Sequence, residues 1–292
     1  MSKGKADLFN RSANLRSTSL ALRFLASYLA PLPHIVGLQL LNEPAQGDNR
    51  LQGWYETTLD DLRSITGPHF PLYIHDAWWM PPYAKLTGGR SDFVVLDFHL
   101  YRCFEASDHG VSGEGHGHKL RNEFQPKFAG QCDVARGNVV VAEFSAALAD
   151  GDKGMSDGER DRNKREFVRA EIEVYERNTG GWWFWTLKKG EGWDAGWSAM
   201  NATRAEILPD WVGSGKFKGP PPQDVKDGEL KRCHGEPAGF FYVALRLRAR
   251  GSKRRLTLQN STWATGLRMV DPRTRLCSLL ALLRGGTTQC CS

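Results

Sequence analysis

The chain has 292 residues, 40% of them hydrophobic, a formal net charge of +6 and 10 tryptophans. That length suits one large α/β domain or two small ones, with a core big enough to fold without disulfide staples. Residues 231–292 carry 12 Lys/Arg against 2 Asp/Glu, leaving 27 against 31 in the first 230, so the basic character belongs to the tail and does not make the body a nucleic-acid binder.

The opening MSKGKADLFN has no apolar region behind its lysines and is not a signal peptide. Residues 15–30, LRSTSLALRFLASYLA, place Leu15, Leu22, Leu25 and Leu29 near helical spacing, and Pro31 and Pro33 end the segment. HIVGLQLLNEP then runs apolar and finishes on Asn42 and Glu43. Burying an unpaired charge costs several kcal/mol, so this strand is expected to stop there and deliver Glu43 to a pocket. The pattern recurs. FPLYIHDAWW ends at His75 and Asp76, DFVVLDFHLY at His99 and Tyr101, GNVVVAEFSAAL at Glu143, and GGWWFWTLKKG near Trp185 and Lys188.

Two segments lie between these strands. HGVSGEGHGH, residues 109–118, holds three histidines, but its glycines and loose spacing predict a flexible loop rather than a metal site. DGERDRNKREFVRAEIEVYERNTGG sets Phe167, Ile172 and Tyr175 among charges and predicts an amphipathic helix, with Gly180 and Gly181 as its C-cap. Apolar strands alternating with helices mean a parallel sheet. Polar residues gathered at the strands' C-terminal ends predict an α/β fold, part of a (β/α)8 TIM barrel whose site is built there. Residues 1–213 form this body, 214–230 a Pro/Gly/Lys-rich linker, and 231–292 an unrelated basic tail expected to be disordered.

Cys103 and Cys132 lie in the body and Cys233, Cys277, Cys290 and Cys291 in the tail. No CxxC pair occurs, so no zinc site is expected; the body pair is either a disulfide or two thiols. Asn10, Asn201 and Asn260 each open an N-x-S/T sequon, a weak sign of secretion. No run approaches the roughly 18 apolar residues of a membrane span.

Glu43 and Glu143 end separate strands, and a barrel mouth brings distant strand ends together. A retaining glycosidase needs two carboxyl groups about 5–5.5 Å apart, one as acid/base and one as nucleophile. The acid must have its pKa raised and the nucleophile must stay ionised, helped by a donor such as the Tyr101 hydroxyl.

LLNEP, HLY, VVVAEFSAAL and GWWFWTLK, in that order, resemble glycoside hydrolase family 5 and most of all its fungal exo-β-1,3-glucanase branch. The likeness covers residues from about 15 to 212 and implies strands four to eight of the barrel. It implies Glu43 as acid/base, Glu143 as nucleophile, Asn42 on the sugar 2-hydroxyl, His99 near the acid/base and Tyr101 on the nucleophile. His75, Trp78 and Trp185 would complete the substrate site. It further implies a β-glucan or oligosaccharide substrate, no cofactor or metal, no nucleic-acid or membrane partner, a monomer, and an extracellular or cell-wall location. Two departures stand out. Only about 35 residues precede the strand of Glu43, where the family has three strands that bring an Arg and a His to the pocket floor. Leu187 also follows FWT where many members carry Trp. The alternative expectation is a catalytically inactive relic that binds carbohydrate weakly.

Overall fold

The computed structural model describes residues 7–190, 192–210 and 212. The expected linker 214–230 and tail 231–292, with the tail cysteines and Asn260, lie outside the described residues. The elements run α1 (Ser12–Leu29), β1 (Leu38–Gln39), α2 (Leu51–Thr66), β2 (Leu72–His75), α3 (Met80–Gly89), β3 (Val94–Arg102), α4 (Gly113–Lys119), α5 (Gln125–Val134), β4 (Val139–Leu148), α6 (Asp157–Asn178), β5 (Trp182–Phe184) and α7 (Ala199–Arg204). The strands make one sheet in sequence order, each parallel to the next. With right-handed crossovers this order stacks the helices on one face and leaves the other as a barrel interior. The body is therefore an incomplete (β/α)8 barrel.

The apolar pattern explains the layers. Leu72, Ile74, Val94, Leu96, Val139, Val141 and Phe144 are fully buried or nearly so, as are Leu59 and Leu62 of α2 and Phe167, Ile172 and Tyr175 of α6. Phe144 meets Tyr175 edge-on at 5.3 Å, so strand β4 and helix α6 share one aromatic seam. Helix α1 buries Leu22 and Ala26 but leaves Leu20, Phe24 and Tyr28 exposed on another stripe. Strands β1 and β5, which end the described sheet, have two and three residues. Short edge strands offer little backbone to foreign pairing.

Four expectations need correction. Strand β1 stops at Gln39 rather than at Glu43, because its ladder on β2 runs out after Gln39 meets Tyr73. Strand β4 continues past Glu143 to Leu148, in an irregular register with β3. Helix α6 ends at Thr179 in extended backbone, and Gly180 and Gly181 open the β5 ladder instead of capping the helix, through Gly180 N–H to Val139 O and Val141 N–H to Gly181 O. The histidine-rich stretch is a loop only over residues 109–112; from Gly113 it is a helix, α4.

That last reversal comes from packing. Ser112 caps α4 by accepting from the Gly115 N–H, and His116 buries against Phe167 at 5.4 Å. A Cβ on Gly113 would meet the Asn163 carbonyl oxygen at 1.9 Å, so glycine lets α4 press onto α6. Cys103 and Cys132 are free thiols, one half-buried and one buried. Asn201 is buried in α7 and has no room for a glycan.

Arg63, near the end of α2, ties the base of the sheet together. Its guanidinium donates to Phe70 O at 2.5 Å and Phe93 O at 2.6 Å, just ahead of β2 and β3, and pairs with Asp92. Its side chain is 11% exposed, whereas the Arg23–Asp61 pair is open to water. Removing one partner of a buried pair costs about 3–5 kcal/mol. Arg63→Ala should fall near the lower end of that range in denaturant melts, and Arg23→Ala should cost no more than about 1 kcal/mol.

Candidate active site

The site begins with one extra residue. Along β3 and β4, Asp97 pairs with Val140 and Phe98 with Val141, but His99 pairs with Glu143, so Ala142 has no opposite number. A bulge of this kind reverses the alternation of side chains beyond it. Without it Glu143 would share the face of Val141 and point at the helices. With it, Phe144 takes the helix side and Glu143 joins His99 on the interior. The unpaired Ala142 N–H donates to Asp97 Oδ1 at 3.1 Å.

Asp97, fully buried, holds three donors: Ala142 N–H, Gln39 Nε2 at 2.7 Å and His99 Nε2 at 3.1 Å. The other nitrogen of His99, Nδ1, lies 2.8 Å from Glu43 Oε1 and 3.6 Å from Glu143 Oε2. Burial alone would push this imidazole down. The Asp97 hydrogen bond and charge, then Glu43 and Glu143, outweigh it and hold His99 up at about 9. Glu43 stands on the loop after β1 in left-handed backbone, φ 41°, with its side chain 36% exposed. Such backbone is costly for a non-glycine residue and gathers at functional sites.

Tyr101 donates to Glu143 Oε2 at 2.6 Å. Burial pushes Glu143 up, while the Tyr101 hydroxyl and the His99 charge pull it back. Burial and the Glu143 bond raise the Tyr101 phenol, so it remains a donor. Tyr101, Phe104 and Trp197 form an aromatic group at the mouth, with centroids 5.3–5.9 Å apart.

The sequence-chosen residues do not all join this centre. Glu43, His99, Tyr101 and Glu143 converge by direct contact. His75, completely buried, meets His99 edge-on at 4.4 Å and Trp78 at 5.3 Å. Its Nδ1 accepts from Ala77 N–H, which puts its proton on Nε2, and that atom has no partner among the described residues. Asn42 is exposed beside Glu43. Trp78, Trp79 and Trp185 are exposed, Trp79 at 65% and Trp185 at 50%, so they do not pack in a barrel wall. Leu187 is exposed as well. Sequence reasoning missed Asp97 and Gln39. Asp97, His99 and Tyr101 alternate along β3, a period-two polar stripe in an apolar run, and that signal could have found the first.

Ligand-type atoms of Glu43, His75 and His99 come within 4.8 Å of one another, the one such group among the described residues. Both nitrogens of His99 and Nδ1 of His75 are already engaged, and Nε2 of His75 carries a proton. Glu43 and His99 are hydrogen-bonded and His75 packs on His99 edge-on, so the trio lacks the free lone pairs that a metal ion takes from imidazoles.

No family model matches the chain. Over 235 residues it is 24% identical to a glucan 1,3-beta-glucosidase 3 of Schizosaccharomyces pombe, covering 77% of this chain and 46% of the relative. Over 177 residues it is 29% identical to an uncharacterized glycosyl hydrolase of Saccharomyces cerevisiae, covering 57% of this chain and 33% of the relative. A solved endoglucanase structure superposes with a TM-score of 0.48 at 17% identity, covering 69% of each chain. The chain spans about half or less of the length of these curated relatives. The chain is similar, over part of their length, to glycoside hydrolases of the family 5 type.

Proposed function

We propose that the chain carries the catalytic centre of a retaining β-glucan hydrolase, with Glu143 as nucleophile and Glu43 as acid/base. One observation carries the reading: two carboxylates face each other across a single imidazole nitrogen, 2.8 Å from one and 3.6 Å from the other. Those two oxygens can be no farther apart than the two distances laid end to end, so the pair is close enough to work on one glycosidic bond. The family likeness adds the substrate class, since its relatives include a glucan 1,3-beta-glucosidase.

The roles follow from the contacts. Glu143 Oε2 accepts from Tyr101, which leaves Oε1 to attack the anomeric carbon. Glu43 protonates the departing oxygen as the glycosidic bond breaks and a glycosyl ester forms on Glu143. Water then attacks the anomeric carbon, gives its proton to Glu43 and releases the ester with retained configuration. Asn42, beside Glu43, binds the sugar 2-hydroxyl, and buried His75 serves the substrate site from behind, packed against His99 and Trp78. Exposed Trp78 and Trp185 stack on sugar faces. Both steps are carboxylate chemistry and draw on no cofactor. The protein acts as a monomer on glucan outside the cell or in the wall.

Hydrolysis of an aryl β-glucoside, followed with circular dichroism on each variant, tests this. Glu143→Gln should lose turnover and keep its fold; turnover equal to wild type would remove Glu143 from the role. Glu43→Ala should slow glucan cleavage by roughly 10²–10⁴-fold while still being glycosylated by substrates with good leaving groups. Added azide should then restore turnover as a glycosyl azide, and an absence of rescue would count against Glu43 as acid/base. Weak glucan binding with no hydrolysis in the wild type would favour the inactive relic.

A further inference from the structure

Asp97 takes no part in bond making, yet it is the most elaborately held carboxylate of the centre. It is fully buried, accepts from Gln39 on β1 and from the Ala142 amide on β4, and offers its remaining capacity to His99 Nε2. On the opposite side of the same ring, Nδ1 meets Glu43. A carboxylate fixed behind one nitrogen selects the Nε2–H form of the neutral ring and favours a second proton on the other nitrogen. The line Asp97–His99–Glu43 therefore has one mobile proton, located between Nδ1 and Oε1.

We propose that Asp97 is a positioning residue that acts through His99, keeping on the His99–Glu43 pair the proton that Glu43 delivers to the leaving group. The chemistry rests on the glycosidase reading above; the charge coupling does not. In the first step the glycosidic C–O bond breaks as Glu143 Oε1 bonds to the anomeric carbon, and the one proton shared by Nδ1 and Oε1 passes through Glu43 to the departing oxygen, which leaves a neutral ring beside an ionised Glu43. In the second, the oxygen of water bonds to the anomeric carbon, the ester bond breaks, and the proton of water returns through Glu43 to Nδ1. The pair ends each cycle as it began.

Other charged groups also face the ring. Glu143, on β4, is 3.6 Å from Nδ1 and favours its proton. His75, on β2, is pushed down to about 4, mainly by burial, and is neutral above that. Asp76, after β2, is pushed up to about 7 by burial and gains its charge as pH rises through that value. None of these touches Nε2, so Asp97 alone controls the rear of the ring. His99, held at about 9, is raised above the ordinary ~6.5. Its stabilising contribution is therefore fully present below about pH 6.5 and is lost as pH rises through about 9.

Nuclear magnetic resonance of the full chain labelled with ¹³C,¹⁵N-histidine decides the matter without needing turnover. His99→Gln identifies the resonance. Wild-type His99 should titrate at about 9 and become the Nε2–H tautomer when neutral. Asp97→Asn should lower that midpoint by roughly 1–3 pH units and flatten the loss of melting temperature between pH 6.5 and 9. A neutral Nδ1–H tautomer in the wild type overturns the proposal even if Asp97→Asn fails to fold. So does an unchanged midpoint in a folded variant. Where hydrolysis is measurable, the basic limb of kcat/KM should move with the His99 midpoint; a fixed limb with a uniform loss of kcat would make Asp97 merely structural. A displaced midpoint in a chain with no hydrolysis would sustain the coupling and sink only the glycosidase reading.

Discussion

The hydrogen bond from the Ala142 amide to the buried carboxylate of Asp97 holds two parts of the site together at once. It satisfies the one backbone donor that the β3–β4 bulge takes out of the ladder, and an unsatisfied buried amide would cost about 1–3 kcal/mol. It also fixes the acid against which His99 is oriented. The bulge turns Glu143 inward, and Asp97 orients the ring that separates Glu143 from Glu43. Local backbone geometry and site electrostatics thus share a single contact.

Burial and pairing compete throughout this cluster. Desolvation opposes charge here, pushing His75 down and Asp76 and Glu143 up. Only His99 goes against its own desolvation, because three carboxylates surround it. A cluster arranged this way keeps one cation among several acids, and the cation moderates the repulsion between the two that face the open mouth. The strained backbone at Glu43, the one member on a loop, is consistent with a residue held for its chemistry rather than for its packing.

Much of this was legible in the chain. Apolar runs ending on polar residues marked the strands, and their order marked a parallel sheet; Glu43, His99, Tyr101 and Glu143 stood out because an ionisable or phenolic group at a strand end has few structural uses. What was not legible depended on tertiary placement. Asp97 looked like an interruption of a core strand, since its three donors come from β1, β3 and β4. The bulge leaves no trace in GNVVVAEFSAAL, where every residue suits a plain strand. Helix α4 was hidden by its glycines, whose low helical propensity is overridden by packing on α6, at a close approach that Gly113 permits. Gly180 and Gly181 suggested a cap because the same residues that end helices also begin tight strand entries.

The bulge makes the centre depend on the count of residues rather than on their kinds. Replacing the side chain at Ala142 leaves its amide in place, and with it the bond to Asp97 and the inward turn of Glu143. Losing the Ala142 codon would restore a regular pleat with Glu143 still opposite His99, but it would take away the amide from which Asp97 accepts. In an evolving lineage, this position of β4 tolerates a change of side chain more readily than its own removal, because the site uses its backbone and not its side chain.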